Sequence, residues 1–176
     1  DTSGSMQQNA WSLVLRKVTE VLDIYPQVKG IQVMNDMGDY MFSQYKGRWI
    51  PDTPARRKAI ISLLAGWHPF SNSSPVEGIH AAIRRFYSKD KRISLYVFGD
   101  YYARGSIQAV IDTVVSLNRA DRSGRRRVRI HAVGFPVLFG QGQVLSVNIR
   151  RYAALMRKLA ETNNGSFVGL NSTKSR

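Results

Sequence analysis

The chain has 176 residues, 43% of them hydrophobic, and contains no cysteine. This length and composition predict a single globular domain, residues 1–176, with a buried core. The absence of cysteine excludes disulfides and thiolate metal ligands. The 26 Lys and Arg residues outnumber the 12 Asp and Glu residues, which gives a net charge of +14. Such a surplus favours an acidic partner (nucleic acid, an anionic surface or an acidic protein), and a solubilising surface explains it equally well.

The hydrophobic pattern alternates between helix and strand along the chain. Apolar residues at helical spacing predict helices at residues 7–25, 54–64, 79–86, 106–117 and 149–159. Short apolar runs predict strands at residues 31–34, 40–42, 93–99, 128–134 and 166–170. The first two of these strands flank a turn-forming segment and predict a β-hairpin. Residues 135–147 are expected to form a largely apolar loop, and no apolar run approaches the ~20 residues of a membrane span.

This order of elements predicts an α/β domain with three layers, in which helices cover a doubly wound, Rossmann-like sheet. The sheet is expected to be mostly parallel, with one antiparallel hairpin strand. In such a sheet, ligands bind beyond the carboxyl ends of the strands, at the point where the strand order switches. The residues that could bind a ligand are therefore those on the strand-to-helix loops.

Three oxygen-rich segments fall on loops of this kind. They are the sequence DTSGS at residues 1–5, the sequence SNSS at residues 71–74, and Asp100 directly after a predicted strand. Together they bring two carboxylates and several hydroxyls to one edge of the sheet, and a hard cation such as Mg²⁺ prefers such oxygen ligands. Asp and Ser also cap helices, so a helix cap is the alternative interpretation of residues 1–5.

The sequence DTSGSM at residues 1–6 resembles the DxSxS signature of von Willebrand factor A domains, which integrin I domains and many bacterial proteins contain. The sequence SSPVEGI at residues 73–79 stands where that family has a second motif, with Ser in place of the usual Thr. Asp100 is similar to the third motif, an Asp after an apolar strand. The resemblance spans essentially the whole chain. Because the family has a central strand before its signature, we expect that strand to precede Asp1 in a longer chain and to be missing from these 176 residues.

The resemblance implies a module for protein–protein interaction or cell adhesion, with a metal-ion-dependent adhesion site, and not an enzyme. The residues that match this metal site are Asp1, Ser3, Ser5, Ser73 or Ser74, and Asp100. By resemblance, the hydroxyls would bind Mg²⁺ (or Mn²⁺) directly, and the two carboxylates would act largely through water. A carboxylate of a protein partner would fill the open position. The resemblance also favours a location outside the cytoplasm, in the cell envelope.

Two further groups of residues are candidates for contacts with a partner. The residues that could form an apolar rim at the metal edge are Tyr101, Tyr102, Phe135, Leu138 and Phe139. Those of the 135–147 loop could instead pack into the core. The residues that could bind an anion are Arg119, Arg122, Arg125, Arg126, Arg127 and Arg129. Contact of this stretch with nucleic acid or an anionic surface is the alternative function, although a solvated linker is the simpler interpretation and no aromatic residue is interleaved for stacking.

The sequence contains no arrangement typical of a catalytic centre. His68, His80 and His131 are scattered without ligand spacing, and no nucleophile stands near a candidate base. No phosphate-binding P-loop is present. We therefore expect a binding function and no catalytic residue.

Overall fold

The structure, a computed structural model, describes residues 1–137 and 142–172. In chain order its elements are α1 (Gly4–Asn9), α2 (Trp11–Ile24), α3 (Pro54–Ala65), α4 (Val76–Phe86), β1 (Ile93–Gly99), α5 (Ile107–Leu117), β2 (Val128–Gly134), α6 (Gln143–Thr162) and β3 (Phe167–Gly169), with a short 3₁₀ turn at Ser43–Tyr45. Among the described residues, no helix has the length and apolar character needed to cross a membrane.

The three strands form one parallel sheet in the order β1-β2-β3. β1 and β2 pair over seven residues, from Ile93 opposite Val128 to Gly99 opposite Gly134. Both strands are largely apolar, as is usual for parallel strands with helices on both faces. The α/β class and the predicted strands at residues 93–99 and 128–134 are thereby confirmed.

Two hydrophobic clusters lie on opposite faces of the sheet. Neighbouring residues of a strand point to opposite faces, and accordingly Val97 packs with residues of α4, α5 and α6, whereas Phe98 borders a cluster built by α1, α2 and α3. The turn after α6 packs so closely on β2 that a Cβ atom at Gly165 would overlap the carbonyl group of Ile130. Only glycine permits this approach of the two backbones.

The largest differences from the predicted helices lie between α1 and α2 and at the start of α6. The predicted helix at residues 7–25 is two helices, because Ala10 between α1 and α2 has φ −134° and ψ −3°, outside the helical region. The last helix begins at Gln143, inside the predicted 135–147 loop. Its first turns present Val144 to solvent with 73% of its surface exposed. The apolar residues at this end therefore do not form the buried stripe by which a helix is recognised in a sequence.

The predicted β-hairpin forms only in part. Its two segments pair around the predicted turn by one antiparallel bridge, from Met34 to Tyr40, but neither segment forms a regular strand. A second isolated bridge joins Ile31 to Ile50. Side chains bind much of the backbone in this region: Gln32 Oε1 accepts the N–H of the next residue at 2.9 Å, and Asn35 Oδ1 accepts two backbone N–H groups of its own turn. Such local bonds compete with a strand ladder, so the hairpin strand of the predicted sheet does not form.

The edge of β1 that faces away from β2 has no strand beside it in the described part of the chain. Ile93 donates its N–H toward β2, so the alternation of a parallel strand turns the backbone groups of Ser94, Tyr96 and Phe98 toward this open edge. The nitrogen of Asp1 donates to the carbonyl oxygen of Phe98 at 2.8 Å. A cavity of about 650 Å³, lined largely by residues 28–36, β1, α2 and α4, lies along the edge. The open edge and the cavity form one groove that reaches Asp1.

Candidate metal site

Two of the three predicted ligand segments meet at the carboxyl end of β1. Ser5 Oγ donates to Oδ2 of Asp100 at 3.0 Å, and it lies 3.1 Å from Ser3 Oγ. Asp1 is held at the same place, since its nitrogen bonds the carbonyl of Phe98, two residues before Asp100. The structure therefore brings Asp1, Ser3, Ser5 and Asp100 together.

The loop of residues 1–5 takes its shape from a turn made by its own carboxylate. Asp1 Oδ1 accepts the backbone N–H of Ser3 at 2.9 Å, a local bond that Asp commonly makes two residues along the chain. Ser3 is then the N-cap residue of α1, yet its side chain makes no capping hydrogen bond. Its hydroxyl lies against Ser5 instead. The helix-cap interpretation therefore does not account for the hydroxyl of Ser3.

One oxygen of each carboxylate in this cluster is buried without a partner. Asp1 Oδ2 and Asp100 Oδ1 have no hydrogen-bond donor, and Asp100 is 0% exposed. Burial raises the pKa of the Asp100 carboxyl above its ordinary value, and the hydrogen bond from Ser5 opposes this rise. A buried carboxylate oxygen without a partner is unfavourable unless a proton or a cation compensates it. The donor set thus fits a hard cation bound by oxygen.

The second predicted segment, residues 71–74, is held by other contacts. Ser71 Oγ accepts the N–H of Ser73, and Ser74 N–H is accepted by the side chain of Asn72. Ser73 has φ +57°, in the left-handed region. In the described residues no hydrogen bond joins the hydroxyl of Ser73 or Ser74 to the cluster around Asp100. The choice between Ser73 and Ser74 as a ligand stays open, and the part of either remains a prediction.

Asp36 is a site residue that the sequence reasoning missed. Its Oδ1 accepts from both the backbone nitrogen and the hydroxyl of Thr2, each at 3.3 Å, and its Oδ2 accepts from Ser71 Oγ at 2.9 Å. Only 4% of Asp36 is exposed. The sequence showed this Asp only as part of a turn. Its position just after the predicted strand at residues 31–34 was the available signal, since ligands gather at strand ends.

The predicted rim is only partly at the surface. Tyr102 is 3% exposed and Phe135 is 1% exposed, so neither side chain can contact a partner in this structure, which corrects their assignment to the rim. The guanidinium of Arg151 lies 5.4 Å from the ring centroid of Tyr102 and covers it, and Phe135 belongs to the cluster of α1, α2 and α3. Tyr101 is half-buried, and its hydroxyl accepts from Asn148 Nδ2 at 2.8 Å. Leu138 and Phe139 lie outside the described residues.

Within the predicted anion-binding stretch, Arg126 has a structural role. Its Nε donates to the carbonyl of Thr162 at 2.6 Å, and its Nη1 donates to the carbonyls of Val115 and Asn118. These carbonyls lie at the carboxyl ends of α5 and α6, where backbone acceptors lack partners within the helix. The guanidinium of Arg126 therefore caps two helices and does not face solvent as an anion ligand would.

The other arginines of the stretch have fewer contacts. Arg125 and Arg127 lie 4.0 Å and 3.9 Å from the carboxylate of Asp121, and Arg129 Nη2 donates to Ser94 Oγ. The two remaining candidates, both exposed, are Arg119 and Arg122. Anion binding by these five arginines stays a prediction.

In the part of the chain that the structure describes, no three His, Cys, Asp or Glu side chains are grouped as a metal cluster. The candidate site differs from that pattern because it combines two carboxylates with two hydroxyls. A comparison of the chain with models of known families, with curated proteins and with solved structures finds no match. A function for this chain must therefore be inferred from the residues of the site itself.

Proposed function

We propose that this chain is a metal-ion-dependent binding module of the von Willebrand factor A type. Asp1, Ser3, Ser5 and Asp100 would hold Mg²⁺, with Mn²⁺ as a substitute, and a carboxylate of a protein partner would complete the site. The observation that carries the proposal is a pair of buried carboxylate oxygens, one on Asp1 and one on Asp100, that have no hydrogen-bond donor. The hydroxyls of Ser3 and Ser5 belong to the same cluster. Mg²⁺ prefers oxygen ligands and keeps open positions for water or for a ligand from outside.

The hydrogen bond between Ser5 and Asp100 gives each residue a distinct part in this proposal. Ser5 donates its proton to Asp100 Oδ2, so Ser3 is the donor in the 3.1 Å contact between the two hydroxyls. One lone pair of Ser5 Oγ and both lone pairs of Ser3 Oγ then remain available to a cation. The carboxylate supplies negative charge without using all of its own oxygens, since Oδ1 has no partner. When bound, Mg²⁺ supplies an electrophilic position for an incoming carboxylate.

The charge of the whole chain supports an acidic protein as the partner. The net charge is +14, and a strongly basic surface attracts acidic partners over distances beyond direct contact. A binding module of this kind would use the general field for encounter and the metal site for specificity. In this proposal the acidic group of the partner binds the metal, and the basic surface increases the rate of association.

Calorimetric titration of this chain with MgCl₂ tests the proposal. We expect saturable binding at one site in the wild type and none in Asp100→Ala. The matched control is Asp112→Ala, which removes an exposed carboxylate of α5 that bonds Gln108, and its binding should equal that of the wild type. Circular dichroism shows whether the variants are folded. No saturable binding in the wild type, or unchanged binding in folded Asp100→Ala, would contradict the proposal.

A further inference from the structure

We infer that Asp36 is the positioning residue of the metal site: its buried carboxylate holds the 1–5 loop and the 71–74 loop in fixed relative positions. The effect on metal affinity rests on the proposed function, whereas the effect on loop order does not. Asp36 would act through its neighbours and would not itself bind the metal, because both of its oxygens already accept hydrogen bonds.

The contacts of the carboxylate join segments that are far apart in sequence. Oδ1 bonds the backbone nitrogen and the hydroxyl of Thr2, 34 residues away, and Oδ2 bonds the hydroxyl of Ser71, 35 residues away. Thr2 lies between Asp1 and Ser3, so fixing its backbone fixes the direction of both neighbouring side chains. Thr2 is itself only 6% exposed, which leaves the loop little freedom to take another position.

The backbone of Asp36 is held as firmly as its side chain. Its carbonyl oxygen accepts the N–H of Gly78 in α4 at 2.7 Å. A Cβ atom on Gly78 would lie 2.7 Å from the carbonyl oxygen of Asn35, so α4 approaches this turn as closely as glycine allows. Asn35 in turn donates from Nδ2 to the carbonyl of Phe70 at 3.1 Å. Asp36 therefore presents its carboxylate from a backbone that is bonded to α4 and, through Asn35, to the segment before Ser71.

The charge of Asp36 adds to that of the two candidate ligands. None of the ion pairs found among the described residues includes Asp36. Its donors are one backbone N–H and two hydroxyls, which are neutral groups. A buried carboxylate in contact with Thr2, the residue after Asp1, increases the attraction of the site for a cation. Residues that orient metal ligands typically change metal affinity 10- to 100-fold when they are replaced.

The experiment compares Asp36→Ala, Asp36→Asn and the control Asp39→Asn. Asp39 is an exposed carboxylate of the same turn, and its side chain accepts from Asn35 and not from the 1–5 loop. Two quantities are measured: the hydrogen-exchange rate of the Thr2 amide by NMR in metal-free protein, and the affinity for Mg²⁺ by calorimetry. Asp36→Asn keeps an acceptor for Thr2 but removes the charge, so it separates geometry from electrostatics.

In Asp36→Ala we expect Thr2 exchange to rise about tenfold or more and Mg²⁺ affinity to fall roughly 10- to 100-fold. Asp36→Asn should restore most of the Thr2 protection and only part of the affinity, and Asp39→Asn should match the wild type in both. Unchanged Thr2 exchange in folded Asp36→Ala overturns the inference, as does unchanged affinity where the wild type binds Mg²⁺. If the wild type binds no Mg²⁺, the proposed function fails and the exchange rates alone decide whether Asp36 positions the loop.

Ser71→Ala provides a second variant in case Asp36→Ala does not fold. It removes the bond to Oδ2 of Asp36 and the acceptor of the Ser73 amide, and it leaves the charge of Asp36 and its Thr2 contacts in place. Ser71→Ala should raise the exchange rate of the Ser73 amide, whose acceptor is Ser71 Oγ, and lower Mg²⁺ affinity less than Asp36→Asn does. If both Asp36→Asn and Ser71→Ala have the affinity and exchange rates of the wild type, Asp36 is not a positioning residue.

Discussion

Ser5 Oγ donates a 3.0 Å hydrogen bond to Asp100 Oδ2, and the two residues are separated by 95 positions in the sequence. The bond joins the start of α1 to the residue that follows β1. It also fixes the orientation of the only hydrogen-bonded oxygen of a fully buried carboxyl group, since Asp100 Oδ1 has no partner. The stability of the metal-free chain and its affinity for a cation should therefore change in opposite directions when Asp100 is altered.

Replacement of Asp100 by Asn should stabilise the metal-free chain. The amide removes a buried charge, and a neutral polar group without a partner costs less free energy than a charged one. We expect the free energy of unfolding in EDTA to rise by roughly 1–2 kcal/mol, measured by urea denaturation. Addition of Mg²⁺ should raise the melting temperature of the wild type and not of Asp100→Asn. A less stable Asp100→Asn in EDTA would contradict this expectation.

The ion pair between Asp52 and Arg57 should make the fold sensitive to acid. Arg57 donates to both oxygens of Asp52 at 2.7 Å, and this bond, aided by the N–H of Val28, lowers the pKa of Asp52 from 3.8 to about 2. Because the pKa is lower in the folded state, the stabilisation is present above the unfolded value near 4 and is lost as the pH falls toward 2. Urea denaturation between pH 6 and pH 2.5 should show this loss in the wild type.

The variant Asp52→Asn should lose less stability over the same pH range than the wild type, because it has no carboxylate to protonate at this position. Asp112→Asn, which alters an exposed carboxylate, should follow the wild-type curve. Equal pH dependence of Asp52→Asn and the wild type would show that this pair does not control acid stability.

Arg126 should contribute more to stability than its neighbour Arg125. Arg126→Met removes a charged donor from the carbonyls of Thr162, Val115 and Asn118, and we expect a loss of about 2–3 kcal/mol in the free energy of unfolding. Arg125→Met alters an exposed side chain and should change it by less than about 0.5 kcal/mol. Equal losses in thermal denaturation of the two variants would contradict the capping role of Arg126.

Gly165→Ala should be among the most destabilising single-methyl additions in this chain. Its new Cβ would overlap the carbonyl group of Ile130, which belongs to the central strand and cannot move independently. We expect a loss of about 3 kcal/mol, the upper end of the usual range for overpacking. Gly66→Ala is the matched control, because a Cβ there meets nothing within 4 Å. The comparison uses urea denaturation, and near-equal stability of the two variants would refute the close approach.

The sequence alone was sufficient to predict the elements in which buried residues recur at the spacing of a strand or a helix. β1 has the predicted boundaries because its apolar run is nearly continuous, and β2 has them because buried residues alternate with more exposed ones along it. The hairpin is reduced to one bridge because Gln32 and Asn35 bind backbone N–H groups that a ladder would have used, and an apolar alternation does not reveal this competition. The start of α6 was missed because Val144 and Val147 are exposed and give no helical stripe.

The site residues that were predicted can be recognised from their immediate neighbours in the sequence, and the one that was missed depends on residues far away in the sequence. The 1–5 loop and Asp100 were found because each follows or precedes a recognisable element and carries oxygen donors. Asp36 was not found because its burial depends on Thr2 and Ser71, which are 34 and 35 residues away. A turn carboxylate of this kind has no spacing in the sequence that distinguishes it from a solvated one.

The open edge of β1 has a consequence for how copies of the chain behave in solution. An unpaired strand edge beside an apolar groove can pair with the same edge of another molecule, which leads to association. The net charge of +14 makes two copies repel each other at low ionic strength, and salt screens this repulsion over roughly 10 Å at 0.1 M. The strand that we expect before Asp1 would lie at this edge, because Asp1 bonds the carbonyl of Phe98 there. Light scattering should therefore show self-association that grows with salt for these 176 residues alone, and less of it for a chain that includes that strand.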